Sequence, residues 1–234
     1  MIYKLDLKPL PPFASPPVTG FGSLADIIQF VPWQPSAWPD APSDPHEFVI
    51  VLKRIFEQSM LMEINNVIED ATARQGSLEH RGHVIAGSML CALDAISSYG
   101  YGPLSGNQIP PFIRAHFPDN YRPFADAVLN LYRHALIHSW NLFEAALTPG
   151  NEPISEDGGV ISYGLLNFFD ALKHGTEDFL EQVVGDAKLQ GAARDRYKGL
   201  RDTAKPASRS AKRPKAVTSG KRTRSAVTGR KKQA

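Results

Sequence analysis

The sequence predicts a mainly α-helical protein, a bundle of four to five helices with a small β-hairpin before the last helix. Three observations support this fold class. Apolar residues recur at three- and four-residue steps over long stretches between residues 46 and 187. Segments rich in Gly and Pro separate these stretches. A single pair of short β-prone runs lies among them.

The first 45 residues predict an irregular, Pro-rich leader. They contain ten of the 19 prolines of the chain, and proline favours extended and turn conformations. The leader also carries too many large apolar side chains for a free linker: Phe21, Ile27, Ile28, Phe30, Trp33 and Trp38. We therefore expect part of it to pack on the rest of the protein, with a short helix over residues 23–30.

A helical domain is predicted over residues 46–187. The apolar spacing predicts helices over residues 46–74, 78–98, 112–117, 124–147 and 163–184. Small residues in the second helix, such as Gly87 and Ala92, allow a neighbouring backbone to approach closely. Before the last helix, Asp157 and Gly158 separate the runs ISE and VIS, which is typical of a β-hairpin.

The charge of the chain is strongly segregated along the sequence. Residues 1–187 carry 10 Lys/Arg and 22 Asp/Glu, whereas residues 188–234 carry 16 Lys/Arg and 2 Asp/Glu. From Lys205 onward there are 11 basic residues and no acidic or aromatic ones. Such a segment buries too little apolar surface to offset the entropy of ordering the chain. Residues 188–234 are therefore expected to form a basic, disordered tail.

Two roles are open for this tail. One is an arm that binds RNA or another polyanion, because each phosphate that a Lys or Arg neutralises releases counterions. The other is a solubilising segment that folds back on the acidic part of the same chain. The basic residues that would contact nucleic acid are Arg209, Lys212, Arg213, Lys215, Lys221, Arg222, Arg224, Arg230, Lys231 and Lys232.

The composition argues against several classes of protein. Cys91 is the single cysteine, so an internal disulfide and a cysteine-based zinc site are excluded. The best apolar run, residues 82–96, is too short to span a bilayer and contains Asp94. We expect a cytoplasmic protein that needs no cofactor and does not contact a membrane. Cys91 is expected to fill the core, and Asp94 to be a buried acid that a neighbour satisfies.

The predicted helix over residues 124–147 carries the residues best suited to catalysis. It is apolar on nearly every side, which indicates a central helix or one pressed against a second subunit. Arg133, His134 and His138 lie within it, and the two histidines, four residues apart, share a face. A guanidinium stabilises charge that develops on a phosphate, and an imidazole exchanges a proton near neutral pH. This pair can act on a phosphodiester without a metal.

The sequence RHALIH, residues 133–138, resembles the R-x4-6-H motif of HEPN domains, small helical bundles found in many prokaryotic toxins and defence nucleases. The polar residue after the arginine, here His134, and the preceding turn FPDNYRP are also similar to that family. The resemblance covers about residues 46–187. It implies a metal-independent endoribonuclease that works as a homodimer, with two motifs facing one cleft, and that leaves a cyclic phosphate. A neutralising partner protein is a further expectation of a toxin-like protein.

Other interpretations of these residues remain open. Arg133 can pair with a core carboxylate such as Glu63 or Asp94, with His138 hydrogen-bonded in the interior. A second alternative is a metal centre of four histidines: His80, His83, His134 and His138. A third is a non-catalytic helical dimer that binds nucleic acid through its tail in a regulatory or structural role.

Overall fold

The computed structural model describes residues 3–7, 35, 38–73, 77–102, 106–134 and 145–204; at residues 77–80, 131–134, 145, 146 and 204 it describes the backbone alone. These residues form a mainly α-helical fold with a small three-stranded sheet, as predicted. No helix in these ranges combines the length and the apolarity that crossing a membrane requires.

The first helical segment runs without interruption through three parts. They are α1 (Pro45–Phe56), a π-helical turn (Glu57–Leu61) and α2 (Met62–Ala73). The Asp44 carboxylate caps α1 by accepting a hydrogen bond from the backbone N–H of Glu47 at 2.9 Å. The helix predicted over residues 46–74 is confirmed.

The helix α3 (Ser77–Tyr101) lies at the centre of the fold. It contacts α2 on one side and, on others, α4 (Ile109–His116) and α5 (Ala125–His134). A 3-10 turn (Asp119–Phe124) joins α4 to α5. The helices predicted over residues 78–98 and 112–117 are confirmed to within a few residues at their ends.

Three short strands follow: β1 (Ala145–Thr148), β2 (Ser155–Asp157) and β3 (Val160–Gly164). The central strand β3 pairs antiparallel with β2 and parallel with β1. The pair β2–β3 is the predicted hairpin. Gly158 and Gly159 turn the chain there with φ angles of 58° and 83°, a region that glycine adopts without steric strain.

The helix predicted over residues 124–147 is wrong at its C-terminal end. The helix α5 extends to His134, residues 135–144 lie outside the described residues, and residues 145–148 form β1. In β1, Ala145 pairs with Ile161 and Thr148 with Gly164. The short apolar sequence AALT suits a helix as well as a strand, and its pairing with β3 selects the strand.

Two long helices complete the described chain, α6 (Leu165–Gly185) and α7 (Ala187–Ala204). The first confirms the helix predicted over residues 163–184. The second lies where a disordered tail was expected to begin, and it packs on α3 and α6. Leu189, Ala193 and Tyr197 are buried at four-residue steps, so this basic stretch has an apolar face. The folded part of the chain therefore extends to Ala204 and does not end at residue 187.

Two pieces of the leader pack on the helices, as expected. The backbone N–H of Leu5 donates to the Glu177 carboxylate of α6 at 2.8 Å, and the Tyr3 hydroxyl lies 2.5 Å from Nδ1 of His46. Trp38 is buried and stacks on Tyr197 of α7, with 5.0 Å between ring centroids. The other large apolar leader residues, Phe21 to Trp33, and the helix expected over residues 23–30 lie outside the described residues.

Candidate functional site

Arg133 and His134 form the last turn of α5. The backbone of both is described, and His138 lies outside the described residues. The helix that carries them packs on α4, on the 3-10 turn and on α3. Ala125 and Val128 supply the buried face of α5. The motif therefore begins at the C-terminal end of a helix whose buried face packs in the body of the protein.

The backbone of α5 places position 133 away from the buried face. A helix turns about 100° per residue, so position 133 lies within about 20° of Asp126 and about 140° from Val128 around the helix axis. Asp126 and Asn130, on the same flank, are exposed to solvent. Position 133 thus lies on the same flank of the α5 backbone as Asp126.

The acidic residue on this flank of α5 already has a cationic partner. Asp126 accepts a hydrogen bond from the guanidinium of Arg114, which lies on α4. Both side chains are at least half exposed, so solvent screens the pair and its contribution to stability is small. The pair joins α4 to the first turn of α5.

Two buried phenols, Tyr121 of the 3-10 turn and Tyr163 of β3, pack against Phe168 in the first turn of α6. The Tyr121 hydroxyl donates to Oδ1 of Asn167 at 2.6 Å. The Tyr163 hydroxyl is buried and makes no hydrogen bond within the described part of the chain. Burial raises the pKa of both hydroxyls well above the usual value of a tyrosine. Both phenols therefore stay protonated at neutral pH.

A hydrogen-bonded chain of three side chains joins α3, α4 and α6, and sequence reasoning missed it. The Tyr101 hydroxyl lies 2.8 Å from Nε2 of His116, and Nδ1 of His116 lies 2.7 Å from Oδ2 of Asp178. The same carboxylate oxygen accepts a hydrogen bond from Gln182 at 2.7 Å. An ionised carboxylate only accepts, so the proton of a neutral imidazole sits on Nδ1, and Nε2 accepts from the tyrosine.

Burial sets the charge state of this imidazole. The His116 side chain is completely buried, with the Phe112 and Phe179 rings 4.8 Å and 5.5 Å away between centroids. Burial lowers the pKa of His116, while the hydrogen bond to Asp178 acts in the opposite direction. A neutral imidazole in this position joins three helices through its two hydrogen bonds. No periodicity or motif in the sequence marks these residues, because they come together only in the fold.

Two further expectations have opposite outcomes. Asp94 is buried and accepts hydrogen bonds from the backbone N–H of Gly106 at 3.0 Å and from the side chain of Gln108, so the expected satisfied acid is confirmed. Cys91 was expected to fill the core and is instead exposed. It lies on the side of α3 that faces a groove beside α2.

The residues proposed for a four-histidine centre are described only in part. His83 is exposed on α3, the side chains of His80 and His134 are not described, and His138 lies outside the described residues. Arg81, near His83, pairs with Asp70 at 2.6 Å. Within the described ranges, no three His, Cys, Asp or Glu side chains are grouped so that they could hold a metal ion.

The basic residues predicted to bind nucleic acid follow α7 and lie outside the described residues: Arg209, Lys212, Arg213, Lys215, Lys221, Arg222, Arg224, Arg230, Lys231 and Lys232. The end of α7 at Ala204 fixes the point from which this segment starts. No family model, curated protein or solved structure matches the chain.

Proposed function

We propose that this chain is an HEPN-like, metal-independent endoribonuclease. Arg133 stabilises the negative charge that develops on the phosphate, and His138 acts as acid or base. His134 orients the phosphate. The 2′-hydroxyl of the ribose attacks the neighbouring phosphorus, the bond to the 5′ oxygen breaks, and the products are a cyclic phosphate and a 5′-hydroxyl.

The observation that carries this proposal is the position of Arg133. It lies in the last turn of α5, on the flank that also carries the exposed Asp126 and Asn130. A cation at this position can reach a polyanion in solvent.

The remaining parts of the proposal are a homodimer and a tail that binds RNA. Two copies bring two motifs to one cleft, so that one histidine accepts a proton while the other donates one. The residues up to 187 carry an excess of Asp and Glu, which repels RNA. The 11 basic residues from Lys205 onward offset this repulsion and bind the phosphate backbone without sequence preference.

Cleavage of a bulk RNA in the presence of EDTA tests the proposal. The variants Arg133→Ala and His138→Ala are expected to lower the cleavage rate by about 10²-fold or more, the usual effect of losing a charge-stabilising or proton-transferring group. Arg122→Ala and His83→Ala remove an exposed arginine and an exposed histidine elsewhere, and they should cleave at the wild-type rate. Equal rates in all five proteins, or activity that EDTA abolishes, would contradict the proposal.

The charge segregation favours one second candidate, a non-catalytic dimer that binds nucleic acid through the tail. A chain that ends at Ala204 distinguishes the two, because it keeps α7 and removes the basic segment. A nuclease of this kind keeps slow turnover after truncation, with weaker RNA binding and a smaller salt dependence. A binding protein shows no turnover in either form and loses its affinity on truncation.

A further inference from the structure

A groove of about 650 Å³ runs between α2 and α3. Met60 and Val67 line one wall, and Val84 and Cys91 line the other. Val67 is 38% exposed and Val84 is 52% exposed. Two valines with this much exposure, facing one groove, form an apolar surface that the described residues leave uncovered.

The lining of the groove suits a helix as its occupant. On α3 the lining residues include Gly87, Ala92 and Ala95, which are small and let a third backbone come close. The polar groups in the lining are few, among them the Ser88 hydroxyl and the Glu63 carboxylate. An amphipathic helix that lays its apolar face between two helices uses a surface of this kind.

The chain itself supplies a segment whose two ends are held on helices that form or contact the walls of this groove. At one end, the backbone carbonyl of Leu7 accepts a hydrogen bond from Asn65 of α2, the helix that forms one wall. At the other end, Trp38 stacks on Tyr197 of α7, which packs along α3, the helix that forms the other wall. Residues 8–34 connect these two points. Their length is ample to reach the groove, since an extended chain spans up to about 3.3 Å per residue.

The sequence of this segment carries the complementary pattern. Four apolar residues follow each other at steps of three, one and three positions: Leu24, Ile27, Ile28 and Val31. In a helix these four side chains share one face, which is the arrangement of an apolar helix in a groove. Asp26 and Gln29 fall on the opposite side.

We propose that residues 24–31 bind in the groove between α2 and α3, with Leu24, Ile27, Ile28 and Val31 against Val67 and Val84. The segment is favoured over a second copy of the protein because it is tethered at both ends. A tether of this length holds the segment at an effective concentration in the millimolar range, well above that of free protein.

The reactivity of Cys91 provides the first test, because Cys91 lies in the groove and the chain contains no other cysteine. Full-length protein, Ile28→Asp and Gln29→Asp are treated with a thiol reagent at one pH and one protein concentration. Ile28→Asp is expected to react at least about tenfold faster than wild type, since a charge on the apolar face weakens its binding in the groove and uncovers Cys91. Gln29→Asp adds the same charge on the other face and should react at the wild-type rate. Three equal rates, in proteins with unchanged circular dichroism, would overturn the proposal.

Cross-linking provides the second test and identifies the occupant. Ile28→Cys and Gln29→Cys, each with the native Cys91, are treated with a short thiol-to-thiol cross-linker. Ile28→Cys is expected to form a link between residues 28 and 91 within one chain, identified by mass spectrometry of the peptides, and to do so faster than Gln29→Cys. A product that joins two chains through Cys91, with a yield that rises with protein concentration, would place a second copy in the groove and overturn the proposal.

Discussion

The Nδ1 atom of His116 lies 2.7 Å from Oδ2 of Asp178, so a hydrogen bond joins the last turn of α4 to the middle of α6. The imidazole is completely buried, whereas the carboxylate is 44% exposed. Burial lowers the pKa of His116, and the hydrogen bond with Asp178 opposes this change. The neutral form of the imidazole is the one that fits the folded protein.

The first prediction concerns the pH dependence of stability. The unfolded chain protonates His116 near pH 6.5, and the folded chain does so only at lower pH. Between these two values the unfolded state binds more protons, so the stabilisation from the neutral imidazole is complete above pH 6.5 and is lost as the pH falls through the folded pKa. Urea unfolding between pH 5 and pH 8 should therefore show a larger loss of stability at acid pH for wild type than for His116→Gln.

The control for this prediction is His83→Gln, which changes an exposed histidine on α3. It should lose as much stability as wild type over the same pH range. Parallel pH profiles for wild type and His116→Gln would show that His116 does not contribute to the pH dependence.

The second prediction concerns α7, which the charge pattern assigned to a disordered tail. Tyr197 is fully buried, stacks on Trp38, and meets Phe48 edge to face at 5.7 Å between centroids. Tyr197→Ala should destabilise the protein by about 3–5 kcal/mol, the usual range for truncating a large aromatic side chain in a core. Its exposed neighbour gives the control, since Lys198→Ala should change the free energy of unfolding by less than about 0.5 kcal/mol. Similar values for both variants would mean that α7 does not belong to the cooperative core.

The third prediction concerns the contact between α6 and the end of α4. A Cβ atom added to Gly175 would meet Cδ1 of Phe117 at 2.5 Å, and the Phe117 ring is itself buried. Gly175→Ala should therefore destabilise the protein by about 1–3 kcal/mol through overpacking. Gly191, on α7, has open space at the same position, so Gly191→Ala should stabilise the protein by about 0.5–1 kcal/mol through helix propensity. Thermal unfolding of the two variants would reveal shifts of opposite sign, and shifts of the same sign would refute the contact.

The fourth prediction compares two buried phenols. The Tyr163 hydroxyl has no hydrogen-bond partner within the described ranges, and Tyr163→Phe should stabilise the protein by about 1 kcal/mol. The Tyr121 hydroxyl donates to Asn167, and Tyr121→Phe should destabilise the protein by a similar amount. The two variants remove the same atom from the same residue type. The difference between their free energies of unfolding, measured with denaturant, therefore reports how much a hydrogen-bond partner contributes. A loss of stability in Tyr163→Phe would indicate that its hydroxyl has a partner after all.

The helices with a regular apolar face could be predicted from the sequence. The positions Phe48, Leu52, Ile55 and Phe56 recur at helical steps, and all four are buried in α1. The hairpin could also be predicted, because Asp157 and Gly158 are local turn signals. Both results depend on short-range sequence information.

The parts that depend on long-range contacts could not be predicted. Strand β1 is selected by its parallel pairing with β3, which no local pattern in AALT indicates. The helical face of α7 is narrow and surrounded by basic residues, so composition concealed it. At the candidate site, the sequence predicted Arg133, and the fold adds that this residue lies in the last turn of α5, on the flank of Asp126. The chain of Tyr101, His116 and Asp178 had no sequence signal, because three separate helices contribute one residue each.

The contacts between residues 38–43 and α7 have a consequence for how the protein is made. The carbonyl of Pro39 accepts hydrogen bonds from Tyr197 at 2.8 Å and from Arg201 at 3.1 Å, and the carbonyl of Ser43 accepts one from Arg194 at 3.0 Å. More than 150 residues separate the partners in each of these hydrogen bonds, so a ribosome completes α7 long after it has made residues 38–43. Trp38 therefore lacks its stacking partner Tyr197 until α7 has been made, which leaves an apolar side chain without its native cover during synthesis.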